Sequence, residues 1–116
     1  MHIIQGLVIG LLQISYSIAT SSADNRFRDL YSEAILSAPL KLDDSSYHKV
    51  TAAPRDYSAA VLLTAVDPRF ACLLCRNFQP EWDLLSKSWT KGDKTGESRL
   101  IFGTLDFSEG RNVFQA

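Results

Sequence analysis

The stretch YSAAVLLTAVDPRFACLLCRNFQPEW, residues 57–82, carries the architecture of the chain. Its first ten residues are apolar on both faces through Val61, Leu62, Leu63, Ala65 and Val66. That pattern predicts a central strand covered by helices on each side. The segment DPRFA breaks the strand, and a helical period takes over from about Leu73. Phe78, Trp82, Leu85 and Trp89 then recur at spacings of four, three and four, one apolar stripe expected to face the core. Pro80 falls inside this helix and is expected to bend it, because its ring removes a backbone donor and crowds the preceding turn.

Cys72 and Cys75 are the only cysteines, and they stand where the strand hands over to the helix. Three readings compete for them. A zinc site needs about four ligands, and outside the N-terminal segment the chain adds only His48. A permanent staple is open too, but so short a loop constrains the unfolded chain little. The position favours a working redox pair. Backbone N–H groups at a helix N-terminus are unpaired and the helix dipole is positive there, so a thiolate at Cys72 is stabilised. Cys75, one turn on, is placed to resolve a mixed disulfide.

The first 23 residues, MHIIQGLVIGLLQISYSIATSSA, contain no Asp, Glu, Lys or Arg. An apolar run from Ile3 to about Leu12 continues more weakly to Ala19 and ends in small residues. This is the layout of a secretory signal peptide cleaved after Ala23 or Ala19, although the basic start is missing. A membrane anchor is the competing reading. Gln5, Gln13, Ser15 and Ser17 interrupt the run, which falls short of the roughly 20 apolar residues a span needs. A signal peptide places residues 24–116 in an oxidising compartment where disulfides persist.

That remainder reads as one domain at most. The net charge of −1 gives no electrostatic case for nucleic acid or for an anionic membrane surface. Phe27, Leu30, Tyr31, Ala34 and Ile35 share one helical face, with Asp24 or Asn25 available as cap and Pro39 beyond the end. Leu40 and Leu42 flank Lys41 as in a short strand. The DDSS run from Asp43 predicts an N-cap and a short helix through Val50. Residues 90–98 form a polar loop, 99–107 a second apolar strand, and Ser108 is a candidate cap for a last helix. Alternating strands and helices predict an α/β layer with a parallel core. His48 is expected at the surface, and no metal site or cofactor motif stands out.

The order of strand, CxxC and proline-bearing helix resembles the thioredoxin superfamily. More narrowly, APRDYSAAVLLTAVDPRFACLLCRNFQPEWDLLSKSW, followed by RLIFGTLDFSEGRNVFQ, resembles the oligosaccharyltransferase subunits of the Ost3/Ost6 family, its fungal members above all. The resemblance covers about residues 26–115. It implies a thioredoxin-like α/β fold and a place in the endoplasmic reticulum lumen. It also implies two kinds of partner, other oligosaccharyltransferase subunits and nascent cysteine-containing polypeptides. Cys72 would attack and Cys75 resolve in transient mixed disulfides, while another subunit transfers the sugar. Whether the chain is itself an enzyme is left open, and neither cofactor nor metal is implied.

Departures from the pattern matter. The spacer is Leu73-Leu74, and Ala71 rather than a tryptophan precedes Cys72. The two leucines form either an apolar surface beside the sulfurs or part of the packing. No acidic residue lies within the strand before them, and Asp67 follows its end. The family continues with two more strands, a helix, a loop bearing a cis-proline, and membrane spans, so residues 24–116 are expected to be a partial thioredoxin-like luminal domain. One side of the strand 99–107 would then be an open edge. Membrane contact would come only through segments beyond this sequence. A soluble luminal oxidoreductase of the disulfide isomerase kind is the alternative function, and a module whose disulfide never opens is a third.

Overall fold

The computed structural model describes residues 23–116. The signal segment expected at residues 1–23 lies outside the described residues except for Ala23. That residue is already helical, in a helix, α1, seen over 23–34. Asp24 and Asn25 therefore sit within the helix and do not cap it. Ala23, Phe27, Leu30 and Ala34 form its buried face, at the spacings of three and four that one side of a helix presents.

Strand β1, Leu40–Leu42, buries both leucines and exposes the lysine between them. Helix α2, Asp44–Thr51, begins as its sequence predicts. The Asp43 carboxylate accepts from the Ser46 amide at 2.8 Å, and the Ser46 hydroxyl accepts from the Asp43 amide at 2.8 Å. This reciprocal box satisfies two donors that a helix start leaves orphaned. Strand β2, Ser58–Thr64, leads through a 3₁₀ turn, Pro68–Phe70, into helix α3, Leu73–Gly92, which runs through Pro80. Strand β3, Leu100–Asp106, and a short helix α4, Arg111–Gln115, complete the order.

The three strands form one parallel sheet in the order β1-β3-β2. Leu40 and Leu42 pair with Gly103 and Leu105, while Ser58–Thr64 pair residue for residue with Leu100–Asp106. Two sequence expectations are corrected here. The central strand is β3, not residues 57–66, and β3 is paired on both sides rather than left as an edge. Among the described residues the edges are β1 and β2, and Leu63 of β2 is 48% exposed. The reason lies in the crossovers. From β1 the chain passes over one strand position to lay down β2, and α3 then returns it to the gap between them.

Alternation along β3 distributes the helices. Ile101 and Leu105, buried to 1% and 0% exposure, pack with Phe27, Leu30, Ala34, Val50 and Tyr57 from α1, α2 and the start of β2. Phe102 points to the other face and meets Trp82 of α3 edge-on at 5.4 Å. Gly103 permits the close approach of β1, since a Cβ there would lie 2.7 Å from a Leu42 methyl.

The α3 stripe is a further correction. Trp82 does pack on the sheet, but Phe78, Leu85 and Trp89 remain 47%, 49% and 45% exposed. The residues buried behind Trp82 are Ser86 and Thr90. These lie 40° and 80° around the helix from Trp82 on one side, and the stripe lies on the other. Among the described residues that flank of α3 stays exposed. Ser108 does not cap α4 either; Gly110 occupies that position without a side-chain bond. The cap comes from a distance, because the Asp44 carboxylate accepts from the amides of Asn112 and Val113 at 3.4 and 3.0 Å.

Arg99 ties the start of β3 to α1. Its guanidinium meets Asp56 at 2.8 Å and Asp24 at 3.3 Å, and lies 4.1 Å over the Phe27 ring. His48 is exposed, as expected. No helix among the described residues is long and apolar enough to cross a membrane.

Candidate redox site at the head of α3

Strand β2 delivers the chain to the C-terminal edge of the sheet at Thr64. Seven residues later Ala71 takes the left-handed conformation, φ 53°, and turns the chain into α3. Its amide donates to the Pro68 carbonyl at 3.0 Å. Cys72 is the N-cap of α3 and Cys75 its third helical residue. A disulfide joins them, with Cα atoms 5.3 Å apart. The spacing explains the bond: at the first turn of a helix, N-cap and third residue lie one above the other.

Cys72 stands at the positive end of α3. Its Sγ accepts from the Cys75 amide at 3.2 Å. That amide is one of the donors a helix start leaves without a partner. The start of a 20-residue helix is a place where a thiolate is stabilised over a thiol. Both cysteines are half-buried. Leu73 and Leu74 between them are 61% and 81% exposed. They form an apolar surface beside the sulfurs and do not pack. Phe78, one turn past Leu74, extends it along the helix.

The strap of residues 65–71 before Cys72 is held from β3, and sequence reasoning missed these contacts. The Asp106 carboxylate accepts from the Val66 amide at 2.9 Å and from the Ser108 amide at 3.0 Å. The Arg69 guanidinium donates to the Ser108 hydroxyl at 3.3 Å. Phe70 meets Phe107 edge-on at 5.1 Å, and Phe107 meets Phe114 of α4 in the same way. Asp67 acts locally, accepting from the Arg69 amide at 3.0 Å to start the 3₁₀ turn. A cavity of about 540 Å³ lies between α3 and the strand ends. Thr64, Val66, Gln79 and Asp106 line it, and the cysteines do not.

A parallel sheet in the order β1-β3-β2, with a CxxC disulfide between the middle strand in sequence and the helix that follows it, defines a thioredoxin-like α/β domain. The particular family follows from comparison. A model of the OST3 / OST6 family, transporter family, matches residues 25–116, and the chain belongs to that family.

The vertebrate relatives agree. The dolichyl-diphosphooligosaccharide--protein glycosyltransferase subunit MAGT1 of Danio rerio is 35% identical over 79 residues, 67% of this chain and 24% of the relative. The subunit of the same name from Gallus gallus is 36% identical over 66 residues, 57% of this chain and 20% of its own. The Homo sapiens subunit is 36% identical over 66 residues, 57% of this chain and 19% of its own. The chain thus spans about a fifth to a quarter of the length of these relatives.

Proposed function

We propose that this chain is the disulfide-exchanging part of an accessory subunit of the oligosaccharyltransferase of the endoplasmic reticulum. Its role is to hold nascent cysteine-containing polypeptides in transient mixed disulfides while acceptor asparagines are glycosylated. The observation that carries the reading is the Cys72–Cys75 disulfide at the N-terminus of α3, flanked by the exposed Leu73 and Leu74. Family membership and the names of the relatives supply the setting. Residues 1–23 act as the signal that delivers residues 24–116 to the lumen.

The exchange proceeds at sulfur. A peptide thiolate attacks Cys72 Sγ, a peptide–Cys72 disulfide forms, and the Cys72–Cys75 bond breaks. Cys75 leaves as a thiolate and takes a proton from solvent. In the reverse direction Cys75 attacks Cys72 Sγ, releases the peptide thiolate and restores the original disulfide. No net electrons are consumed in the cycle. Leu73 and Leu74 favour clients with exposed apolar side chains, which is the condition of a chain not yet folded.

Replacing the resolving thiol tests the reading. A Cys75→Ser chain has no internal disulfide, so its Cys72 thiolate attacks one sulfur of a client disulfide, the other client sulfur leaves as a thiolate, and no thiol resolves the adduct. Expressed in secreting cells and captured without reductant, it should carry reducible adducts with cysteine-containing chains that bear Asn-x-Ser/Thr acceptors. The Cys72→Ser/Cys75→Ser pair should carry none. Turnover of scrambled disulfide substrates by the unmodified chain would instead favour an oxidoreductase of the disulfide isomerase kind. A disulfide that resists mild reductant, with no adducts, would make it a structural staple.

A further inference from the structure

We propose that Asp106 is a positioning residue for the cysteine pair, acting through the strap that carries Cys72. The proposal deepens the redox reading and rests on it. Asp106 ends the central strand, where its backbone pairs with Thr64 of β2. Both its carboxylate oxygens are engaged, one with the Val66 amide at 2.9 Å and one with the Ser108 amide at 3.0 Å. Val66 lies two residues past Thr64, whose carbonyl accepts from the Phe107 amide at 2.8 Å where the β2–β3 ladder ends.

From Val66 onward the strap has no sheet partner. It is held by Asp106 at its start, by the Arg69–Ser108 bond at its middle, and by the Phe70–Phe107 contact just before the turn at Ala71. Asp106 organises the second and third of these as well. Its bond to the Ser108 amide, with the Glu109 and Gly110 amides donating to its carbonyl at 2.9 Å, holds the turn that presents the Ser108 hydroxyl to Arg69 and the Phe107 ring to Phe70. One carboxylate thus couples the rigid strand to the whole path leading into Cys72.

The consequence concerns the equilibrium between disulfide and dithiol. In the dithiol the two sulfurs are no longer bonded, and the strap sets how often Cys72 Sγ meets Cys75. A held strap keeps the effective concentration of one thiol at the other high, which favours the disulfide. By linkage the disulfide favours the held strap by the same factor. Loosening the strap therefore moves the pair toward the dithiol, and reducing the pair loosens the strap.

The test equilibrates the full chain with glutathione. One Cys72–Cys75 disulfide and two glutathione thiols give one dithiol and one glutathione disulfide. Two electrons pass from the glutathione sulfurs to the cysteine pair, and the two thiol protons go with them. Asp106→Glu keeps the charge and displaces the oxygens; Asp106→Asn keeps the shape and loses one acceptor.

Both should move the equilibrium toward the dithiol by about fivefold or more. Val50→Ala, which weakens the core on α2 away from the strap, should lower stability and leave the equilibrium where it was. A shift in Asp106→Asn alone would mean that charge, not position, is at work and would overturn the proposal. So would no shift in either variant, or an equal shift in Val50→Ala.

Amide exchange in the unmodified chain needs no variant. The Val66 amide should lose protection when the disulfide is reduced, and unchanged protection would overturn the coupling. If the unmodified chain fails to exchange with glutathione at all, the redox reading falls and the proposal with it. The other negative results leave that reading standing.

Discussion

Gly110→Ala tests the tightest steric contact of the fold. Gly110 precedes α4 and lies against Leu105, a side chain with no exposed surface near the end of β3. A Cβ at Gly110 would lie 2.5, 2.6 and 2.7 Å from Cγ, Cδ1 and Cδ2 of Leu105. Carbon atoms in contact prefer about 3.5–4.0 Å, so a separation of about 1 Å must be found. The backbone of Leu105 cannot supply it, because Leu105 is paired with Leu42 on one side and Leu63 on the other. Its side chain cannot retreat either, enclosed as it is by the core that includes Val50, Leu42 and Ile101.

The remaining relief is a shift of α4 and the turn before it, which breaks the Asp44 bonds to Asn112 and Val113. Overpacking of this kind costs about 1–3 kcal/mol. In a domain of this size each kcal/mol lowers the melting temperature by roughly 4–8 °C. Thermal unfolding of the full chain with its disulfide intact should show that loss. The same substitution in a Leu105→Ala background should cost less, because the obstructing atoms are gone, giving a coupling of about 0.5–3 kcal/mol. Gly92→Ala is the internal contrast. Nothing lies within 4 Å of its Cβ at the end of α3, and it should stabilise by up to about 1 kcal/mol. A Gly110→Ala chain as stable as the unmodified one, or a cost that persists in full without Leu105, would refute the steric reasoning.

Two further predictions rest on polar contacts. Arg99→Met removes ion pairs to Asp24 and Asp56 and a cation–π contact with Phe27 while keeping most of the packed stem, and should cost about 1–2 kcal/mol in urea unfolding. The loss should shrink at high salt; a cost indifferent to salt would mean that the stem, not the charge, is what counts. Burial pushes the Tyr57 phenol above its ordinary value of 10.0, against the opposing pull of Arg26 and Arg55, and its hydroxyl donates to the Val50 carbonyl at 2.5 Å. A raised folded-state value means that the contribution is fully present below about pH 10 and is lost as pH rises through the higher folded value. Tyr57→Phe should therefore cost about 0.5–1.5 kcal/mol at neutral pH and remove part of the alkaline fall in stability, and an unchanged alkaline slope would contradict the assignment.

The parts of this fold legible in the sequence are those whose cause is local. The cap at the start of α2 was readable in the DDSS run because cap and partner lie three residues apart. The cysteine pair was readable for the same reason, and so was the alternation of Leu40, Lys41 and Leu42. The order of the strands was not. An apolar run on both faces fits a central strand, yet β2 carries that pattern at an edge of the described sheet. Position in a sheet depends on where the crossovers land, and no window along the chain contains that. Gly103 was the sequence sign that β3 has a close neighbour on its other side, but it acquires that meaning only once Leu42 is known to lie against it.

The candidate site divides along the same line. Its sulfurs announce themselves by spacing, but the residue that holds their approach is Asp106, 40 positions from the amide it binds. Asp67 drew notice in the sequence because it follows the strand directly, and its bond proves to be purely local, two residues along. The acidic residue that reaches the strap comes instead from the neighbouring strand, at the register where Thr64 pairs with Asp106. A parallel pair brings the two C-terminal ends together, so the residues that steady a loop leaving one strand come naturally from the end of the next. In this fold the place to look for the supports of a CxxC loop is therefore the end of the strand after its helix. Here that search leads from Cys72 across α3 to Asp106, Phe107 and Ser108.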